Sequence, residues 1–333
     1  MTLKKHRKTP HKKASAAKPR GDLYQEVTDK IIEEMEAGSL PWVRPWDAAH
    51  PSCAVGLPRN IQSQNAYSGI NILLLWSAVI EHGYPSQNWL TFKQAQDLGG
   101  TVRKGEHGEM ICFADRFTPV KERHDAQKQG RKAQAIPFLK RYCVFNVAQC
   151  DGLPEDFLTP PAPQPATQLL PQAAKVVAAT KADIRIGGSR AFYHPEHDVV
   201  QLPPQQAFTR PINYYRTLFH ELGHWSGHKS RLGRDLSGRF QTQIYAREEL
   251  VAELSAAFTC ASLFIQPTVR HADYLASWLT LLKEDKRAIF KAASQASKAT
   301  TFILNGATEP HRATSPLQIS DKKKRYFEKI AVD

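Results

Sequence analysis

Residues 220 to 224 read HELGH, two histidines four apart with a glutamate directly after the first. On a helix of 3.6 residues per turn, that spacing sets both imidazoles on one face, as a zinc ion requires of its first two ligands. Glu221 is then the residue type placed to take a proton from a water polarised by such an ion. Leu218, Phe219, Leu222 and Trp225 surround the motif with apolar side chains, so the helix should pack in a core, and Gly227 offers its stop.

A catalytic zinc takes three protein ligands and keeps a fourth position open, so another segment must approach. His228 is one candidate, four residues beyond His224 and past the expected helix end. The longer motif HExxHxxGxxH would need a histidine where this chain has Ser230, which argues against that class of site. The segment YAREELVAELSAAF places Glu249 and Glu253 one turn apart on one face, with Ala252 and Ala256 leaving room for a close helix crossing. Glu249 is the favoured third ligand and Glu253 the alternative; the one that does not ligate would hydrogen-bond a ligand imidazole. Leu250, Val251 and Leu254 argue against a fully solvated face for Glu248, Glu249 and Glu253. Peptide hydrolysis would also need a donor for the developing oxyanion, with Tyr193, His194, Tyr214 and Tyr215 as candidates. The strand DVVQL ahead of the motif is a candidate edge for an extended peptide.

The elements that must position these residues follow from periodicity. Residues 22–37 carry Val27, Ile31 and Met35 at spacing four, an amphipathic helix stopped by Gly38. Residues 70–82 read as a buried helix and 92–98 as a short one; 101–116 reads as a hairpin around KGEHG, with a strand at 141–148 returning to its sheet. Residues 121–135 are polar and read as loose. Five prolines in 154–167 mark a linker. Beyond it come a helix at 171–181, strands at 183–185 and 199–202, the motif helix at 212–225, and helices at 248–264 and 274–292. The expectation is an α+β chain of two domains, 22–153 and 168–310, each burying its own core, between a disordered basic arm at 1–21 and a basic tail at 311–333.

The 333 residues carry a net charge of +13, and residues 1–21 hold eight Lys and Arg with no acid. Basic tails of this kind, including Lys322, Lys323, Lys324 and Arg325, suit a polyanion. No apolar run follows the arm as a secretory signal would require, and none is long enough to span a bilayer, so the expected location is the cytoplasm. Five scattered cysteines without a CxxC pair read as reduced core residues. Trp42, Trp46, Trp76 and Trp89 fall in the first half among cations, which suits stacking of unpaired bases beside a cationic track, although Trp76 and Trp89 fit a core better. On chemistry, Arg59, Asn60, Tyr67, Asn71, Lys93, Arg103, Lys104 and Lys140 are the candidate DNA contacts.

The strings DLYQEVTDKIIEEMEAGSLPWVRPW, GLPRNIQSQNAYSGINILLLW, WLTFKQAQDLGGTVRKGEHGEMICF and YCVFNVAQCDGL resemble the amino-terminal domain of ArdC-type antirestriction proteins. HELGHWSGHKSRLGR and YAREELVAELSAAF are similar to that family's zincin-like metallopeptidase domain. The resemblance runs over about residues 22 to 305 in the family's order. It implies a plasmid- or mobile-element-borne protein that binds single-stranded DNA, or double-stranded DNA as well, and protects incoming DNA from restriction. It also implies Zn2+ as cofactor, His220, His224 and an acidic residue of EELVAE as ligands, Glu221 as acid/base, and a protein substrate or restriction enzyme as a further partner. The arm at 1–20 and residues 121–135 lie outside it.

Overall fold

The computed structural model describes residues 22–42, 55–158, 165–239, 242–267 and 274–306. The basic arm, Trp46 with most of its loop, the middle of the proline-rich stretch and the basic tail lie outside the described residues.

In the first half, α1 (Leu23–Glu36) is capped by the Asp22 side chain, which accepts from the Tyr24 N–H at 3.0 Å, and it buries the expected Val27, Ile31 and Met35 stripe. Then follow β1 (Arg59–Asn60), α2 (Ile70–His82), β2 (Asn88–Leu90), α3 (Phe92–Asp97), β3 (Thr101–Val102), β4 (Glu109–Phe117), α4 (Val120–Lys128), β5 (Ile136–Asn146), β6 (Cys150–Asp151) and α5 (Glu155–Leu158). One sheet has the order β1-β2-β5-β4, and β3 pairs with β6 apart from it. The hairpin expected over 101–116 therefore does not form. β4 finds a partner of matching length in β5, and the two residues of β3 turn to β6. Residues 121–135 are not wholly loose either: α4 buries Ala126, and Arg131 ties back to Glu122 at 2.6 Å.

In the second half, α6 (Ala166–Thr180) starts earlier than expected and runs through Pro171. β7 (Asp183–Ile186), β8 (Phe192–His194) and β9 (Val199–Leu202) form a sheet of order β7-β9-β8. β9, the strand of DVVQL, is thus the central strand, its backbone taken on both sides, so it offers no free edge to a peptide. α7 (Pro211–Ser226) carries HELGH, and α8 (Gln243–Ser262) crosses it. The single helix expected at 274–292 is two, α9 (Leu275–Glu284) and α10 (Ala288–Leu304). Asp285 breaks them, its carboxylate accepting from the Arg287 N–H at 2.9 Å and from Arg247 and Lys291. No helix among the described residues is long and apolar enough to cross a membrane. Of the cysteines, Cys112, Cys150 and Cys260 are buried free thiols as expected, while Cys143 is exposed.

The expectation of two independent cores needs correction. Val27, Ile31, Met35, Trp42 and Trp76 share one cluster with Leu250, Leu254, Phe258, Trp278 and Ile289. Trp42 meets Trp278 edge to face at 6.0 Å, and Trp76 meets Phe258 at 5.6 Å. The cause is α8, which is buried without a break from Glu248 to Ala261 and can be satisfied only between two layers. Its other side joins Leu218, Phe219, Leu222 and Trp225 of α7 in a second core with Val200, Leu202 and Phe302.

Gly223 sets how closely α7 and α8 approach. A Cβ there would run into Ser255 Oγ and lie 3.1 Å from the Ala252 Cα. In an open helix Gly→Ala adds about 1 kcal/mol of stability. At this crossing we expect Gly223→Ala instead to destabilise by about 1–3 kcal/mol through overpacking. Urea unfolding checks it, and a midpoint equal to or above the parent's would show that the crossing has slack.

Candidate metal centre

α7 presents His220 and His224 along one side, with His220 and Glu221 buried. Across the crossing, the Glu249 carboxylate faces both rings: His220 Nε2 lies 3.5 Å from Oε2, and His224 Nε2 lies 3.5 Å from Oε1. One donor atom from each of the three side chains falls within 4.8 Å of the others. Donors held about 2.0–2.1 Å from a tetrahedral zinc stand roughly 3.4 Å from each other, so the two nitrogen–carboxylate separations suit one ion between them. The set also matches the chemistry of a divalent metal of intermediate softness, two imidazoles and a carboxylate.

The outer nitrogens are held as well. His220 Nδ1 lies 3.3 Å from Glu253 Oε2, and His224 Nδ1 lies 3.2 Å from Glu248 Oε1. A carboxylate at Nδ1 fixes the ring and directs the Nε2 lone pair inward. Glu248 is fixed in turn by Arg234, which donates to it through Nε at 2.9 Å and Nη2 at 2.7 Å. Arg234 also donates to the Gly223 carbonyl at 2.6 Å and to Ser226 Oγ at 2.9 Å, fastening the loop after α7 to both helices. Sequence reasoning gave Glu248 no role of its own beyond membership of EELVAE, and it missed Arg234. Glu248 adjoins Glu249 in EELVAE and differs from it only in the side of the helix that α7 happens to meet.

These carboxylates dominate the electrostatics. Burial opposes charge on His220, yet Glu249 and Glu253 push its pKa up to about 10. Burial likewise opposes charge on His224, and Glu248 with Glu249 push it up to about 9. Burial would raise the Glu249 carboxyl, but the two imidazoles hold it far below the usual carboxylate range.

The remaining candidates stand elsewhere. The His228 ring turns to Ser230, Nδ1 lying 2.7 Å from Oγ, and it is not part of the three-residue cluster. The Tyr193 hydroxyl donates to Asp198 at 2.8 Å, and Arg231 pairs with the same carboxylate. His194 stacks on His197 at 4.5 Å, and Tyr214 meets Tyr215 edge to face at 5.2 Å. A tyrosine not singled out from sequence interacts with Glu249 of the cluster. Tyr245 precedes Glu249 by one turn of α8, and its hydroxyl is 3.0 Å from that of Tyr274. Burial first, then Tyr274 and Glu249, push the Tyr245 phenol well above its ordinary pKa, keeping it a proton donor.

Comparison with known proteins agrees with both halves of this description. A family model described as the N-terminal domain of anti-restriction factor ArdC matches residues 21–145, and one described as a zincin-like metallopeptidase matches residues 171–295. An uncharacterised protein y4eC of Sinorhizobium fredii is 42% identical over 289 residues, covering 85% of this chain and 91% of that protein. The crystal structure of the antirestriction protein ArdC from plasmid R388 in its metal-free form is 41% identical and superposes with a TM-score of 0.72, covering 86% of this chain and 98% of that one. This chain belongs to the ArdC antirestriction family. The R388 ArdC also has a Mn(II)-bound structure, matched with a TM-score of 0.70. With the zincin-like match and the donor set above, this points to a divalent metal in the family's fold. A DNA primase TraC of Escherichia coli is 36% identical over 297 residues, but the chain spans only 27% of its length.

In this ArdC-family chain, the eight side chains put forward for DNA divide into two groups. Asn60 Nδ2 donates to Gln94 Oε1 at 2.9 Å, and the Asn71 amide bridges the N–H and C=O of Cys112 at 2.8 Å each, so both hold the fold together. Tyr67 is half-buried, and Arg103 donates to Glu106 at 2.6 Å and to the Ala148 carbonyl at 2.7 Å. Arg59, Lys93, Lys104 and Lys140 are exposed. The Asn60–Gln94 bond joins β1, which carries Arg59, to α3, where Lys93 lies, while Lys140 is carried by β5 opposite Phe113.

An ion entering between His220, His224 and Glu249 must displace protons from imidazoles whose pKa values lie near 10 and 9. The raised values mean both rings are largely protonated at neutral pH. Metal binding at pH 7 should therefore release between one and two protons, and affinity should climb as pH rises toward 9. Calorimetry in buffers of different ionisation enthalpy measures this; a stoichiometry of zero protons would contradict it.

Proposed function

We propose that this protein is an antirestriction factor of a plasmid or other mobile element that holds single-stranded DNA with its amino-terminal half and carries a zinc metallopeptidase-type site in its carboxyl-terminal half, acting in the cytoplasm. The observation that carries the catalytic part is the facing of one carboxylate, Glu249, to both imidazoles of an HExxH helix. Family membership supports the antirestriction part.

In this reading His220, His224 and Glu249 would hold a zinc ion, which would supply Lewis acidity toward water at the site. Glu221, adjacent to His220 on α7, would serve as acid/base, taking a proton from water and giving it to the leaving amine of a peptide bond. Glu253 and Glu248 keep the two imidazoles aimed inward through their Nδ1 atoms, and Arg234 holds Glu248 in place. The protonated Tyr245 hydroxyl, on α8 one turn from Glu249 and interacting with it, is the phenol donor for the developing oxyanion. It takes the role for which Tyr193, His194, Tyr214 and Tyr215 were the sequence candidates.

Two outcomes follow. Removing a ligand carboxylate should weaken zinc binding more than removing a carboxylate that only orients a ring, for which a loss of about 10- to 100-fold is typical. Glu249→Ala should thus lose zinc more completely than Glu253→Ala or His228→Ala in parallel titrations; Glu253→Ala as the most impaired would exchange the two roles. Glu221→Gln should keep the metal yet abolish protection when unmodified DNA is introduced into a restricting host. Full protection by that variant would instead identify a DNA-coating module whose metal only supports the fold. Proteolysis of a host component lost with the same substitution would identify a host-directed peptidase that uses DNA as its address.

A further inference from the structure

Trp42, Trp76 and Trp89 are fully buried, so among the described residues a stacking surface has to come from other rings. The β4–β5 ribbon carries them. Its nine pairs run from Glu109 opposite Val144 to Phe117 opposite Ile136. Side chains alternate along each strand, so Phe113 and Phe117 share a face with Tyr142, Lys140, Phe138 and Ile136. Three of these stand in the open: Phe117 is 52% exposed, Ile136 56% and Tyr142 43%. On the same face the Phe113 and Tyr142 rings meet edge to face at 5.8 Å, and the Lys140 ammonium lies 5.1 Å from the Phe138 ring centre.

The charge around this row is one-sided. Residues 116–141 hold eight Lys and Arg against two acids, Glu122 and Asp125. Glu122 is taken by Arg131, and Arg141 pairs with Glu26. Of the two acids on the ring-bearing face, Glu109 lies 3.2 Å from His82 Nε2 and Asp115 accepts from the Arg116 N–H at 2.7 Å. Among the described residues, Arg116, Lys121, Lys128, Lys132 and Lys140 have no acid partner, and α4 sets Lys121 and Lys128 where the ribbon's chain turns back. Open rings interleaved with uncompensated cations suit unpaired bases on a phosphate backbone, since every base offers a π-face and every phosphate a negative charge.

We propose that this ribbon face is where single-stranded DNA lies, with bases stacked on Phe117, Phe138 and Tyr142 and phosphates tracked by Lys140 and the cations of the α4 turn. It rests on the proposed function, in which the chain binds single-stranded DNA, and it adds the surface.

The full-length protein is titrated into a labelled oligothymidylate while fluorescence anisotropy is read at several salt concentrations. Replacing Phe117, Phe138 and Tyr142 together by Ala should lower affinity by about a thousandfold, at roughly tenfold per stacked base. Lys140→Gln should reduce the salt slope by about 0.7. Tyr142→Phe should bind like the parent, and Tyr142→Leu, which keeps apolar bulk without a ring, should lose about tenfold even where the triple variant misfolds by circular dichroism. Parent protein that binds no oligonucleotide would overturn the DNA reading together with this proposal. Parent protein that binds, with ribbon variants binding equally well, would overturn the ribbon alone. Variants that change only self-association on a sizing column would overturn the ribbon too.

Discussion

The contact on which the rest depends is the crossing of α7 and α8 at Gly223. It brings backbone against backbone, with Ala252 and Ser255 on one side and no side chain on the other. At that closeness a glutamate of α8 reaches both imidazoles of α7 at once. Its neighbours, one residue before and one turn after, then reach the far nitrogens of the same rings. A crossing wider by one methyl group would open the gap between Glu249 and the imidazoles beyond the reach of a single ion. The small residues at the crossing thus set the geometry of the candidate metal centre.

Such a cluster carries its own tension. Three carboxylates and two imidazoles lie in a largely buried space, and burial disfavours charge on each of them. They offset one another by pairing, which raises both imidazoles and depresses Glu248 and Glu249. Removing one member would leave a buried charge without its counterpart, which is more destabilising than losing the pair. Arg234 extends the arrangement to the surface side of the site, with two bonds to Glu248 and one each to Gly223 and Ser226. The loop that follows the motif is therefore tied to the geometry of His224 itself.

The two halves of the chain are joined through the same helix. α8 presents Glu249, with Glu248 and Glu253, toward α7 while its opposite side buries Leu250, Leu254 and Phe258 among residues of α1 and α2. The metal cluster and the amino-terminal sheet consequently rest on one packed unit. The β4–β5 ribbon reaches outward from it, with Asn71 of α2 bonding the β4 backbone at Cys112.

Local pattern sufficed for much of this. HELGH, its apolar neighbours and the turn-spaced glutamates of EELVAE determined that α7 would be a buried helix with two imidazoles on one face, and restricted the third donor to a few residues. The stripes of α1 and α2 were equally legible, because helix periodicity and a following glycine are properties of contiguous residues. What the sequence did not carry is whatever depends on which surfaces meet. Glu248 and Glu249 differ by one position, and only the direction of the crossing makes one an orienting group and the other the group between the rings. The partner of β4 was misread because strand pairing is chosen by length and neighbours far along the chain. The break at Asp285 depends on Arg247, a residue of another helix. Trp42 looked available for bases until Trp278 of α9 covered it, and the rings left exposed on the β4–β5 ribbon can be told from core rings only once the layers above each strand are known, since burial is a property of the whole packing and not of any local run of residues.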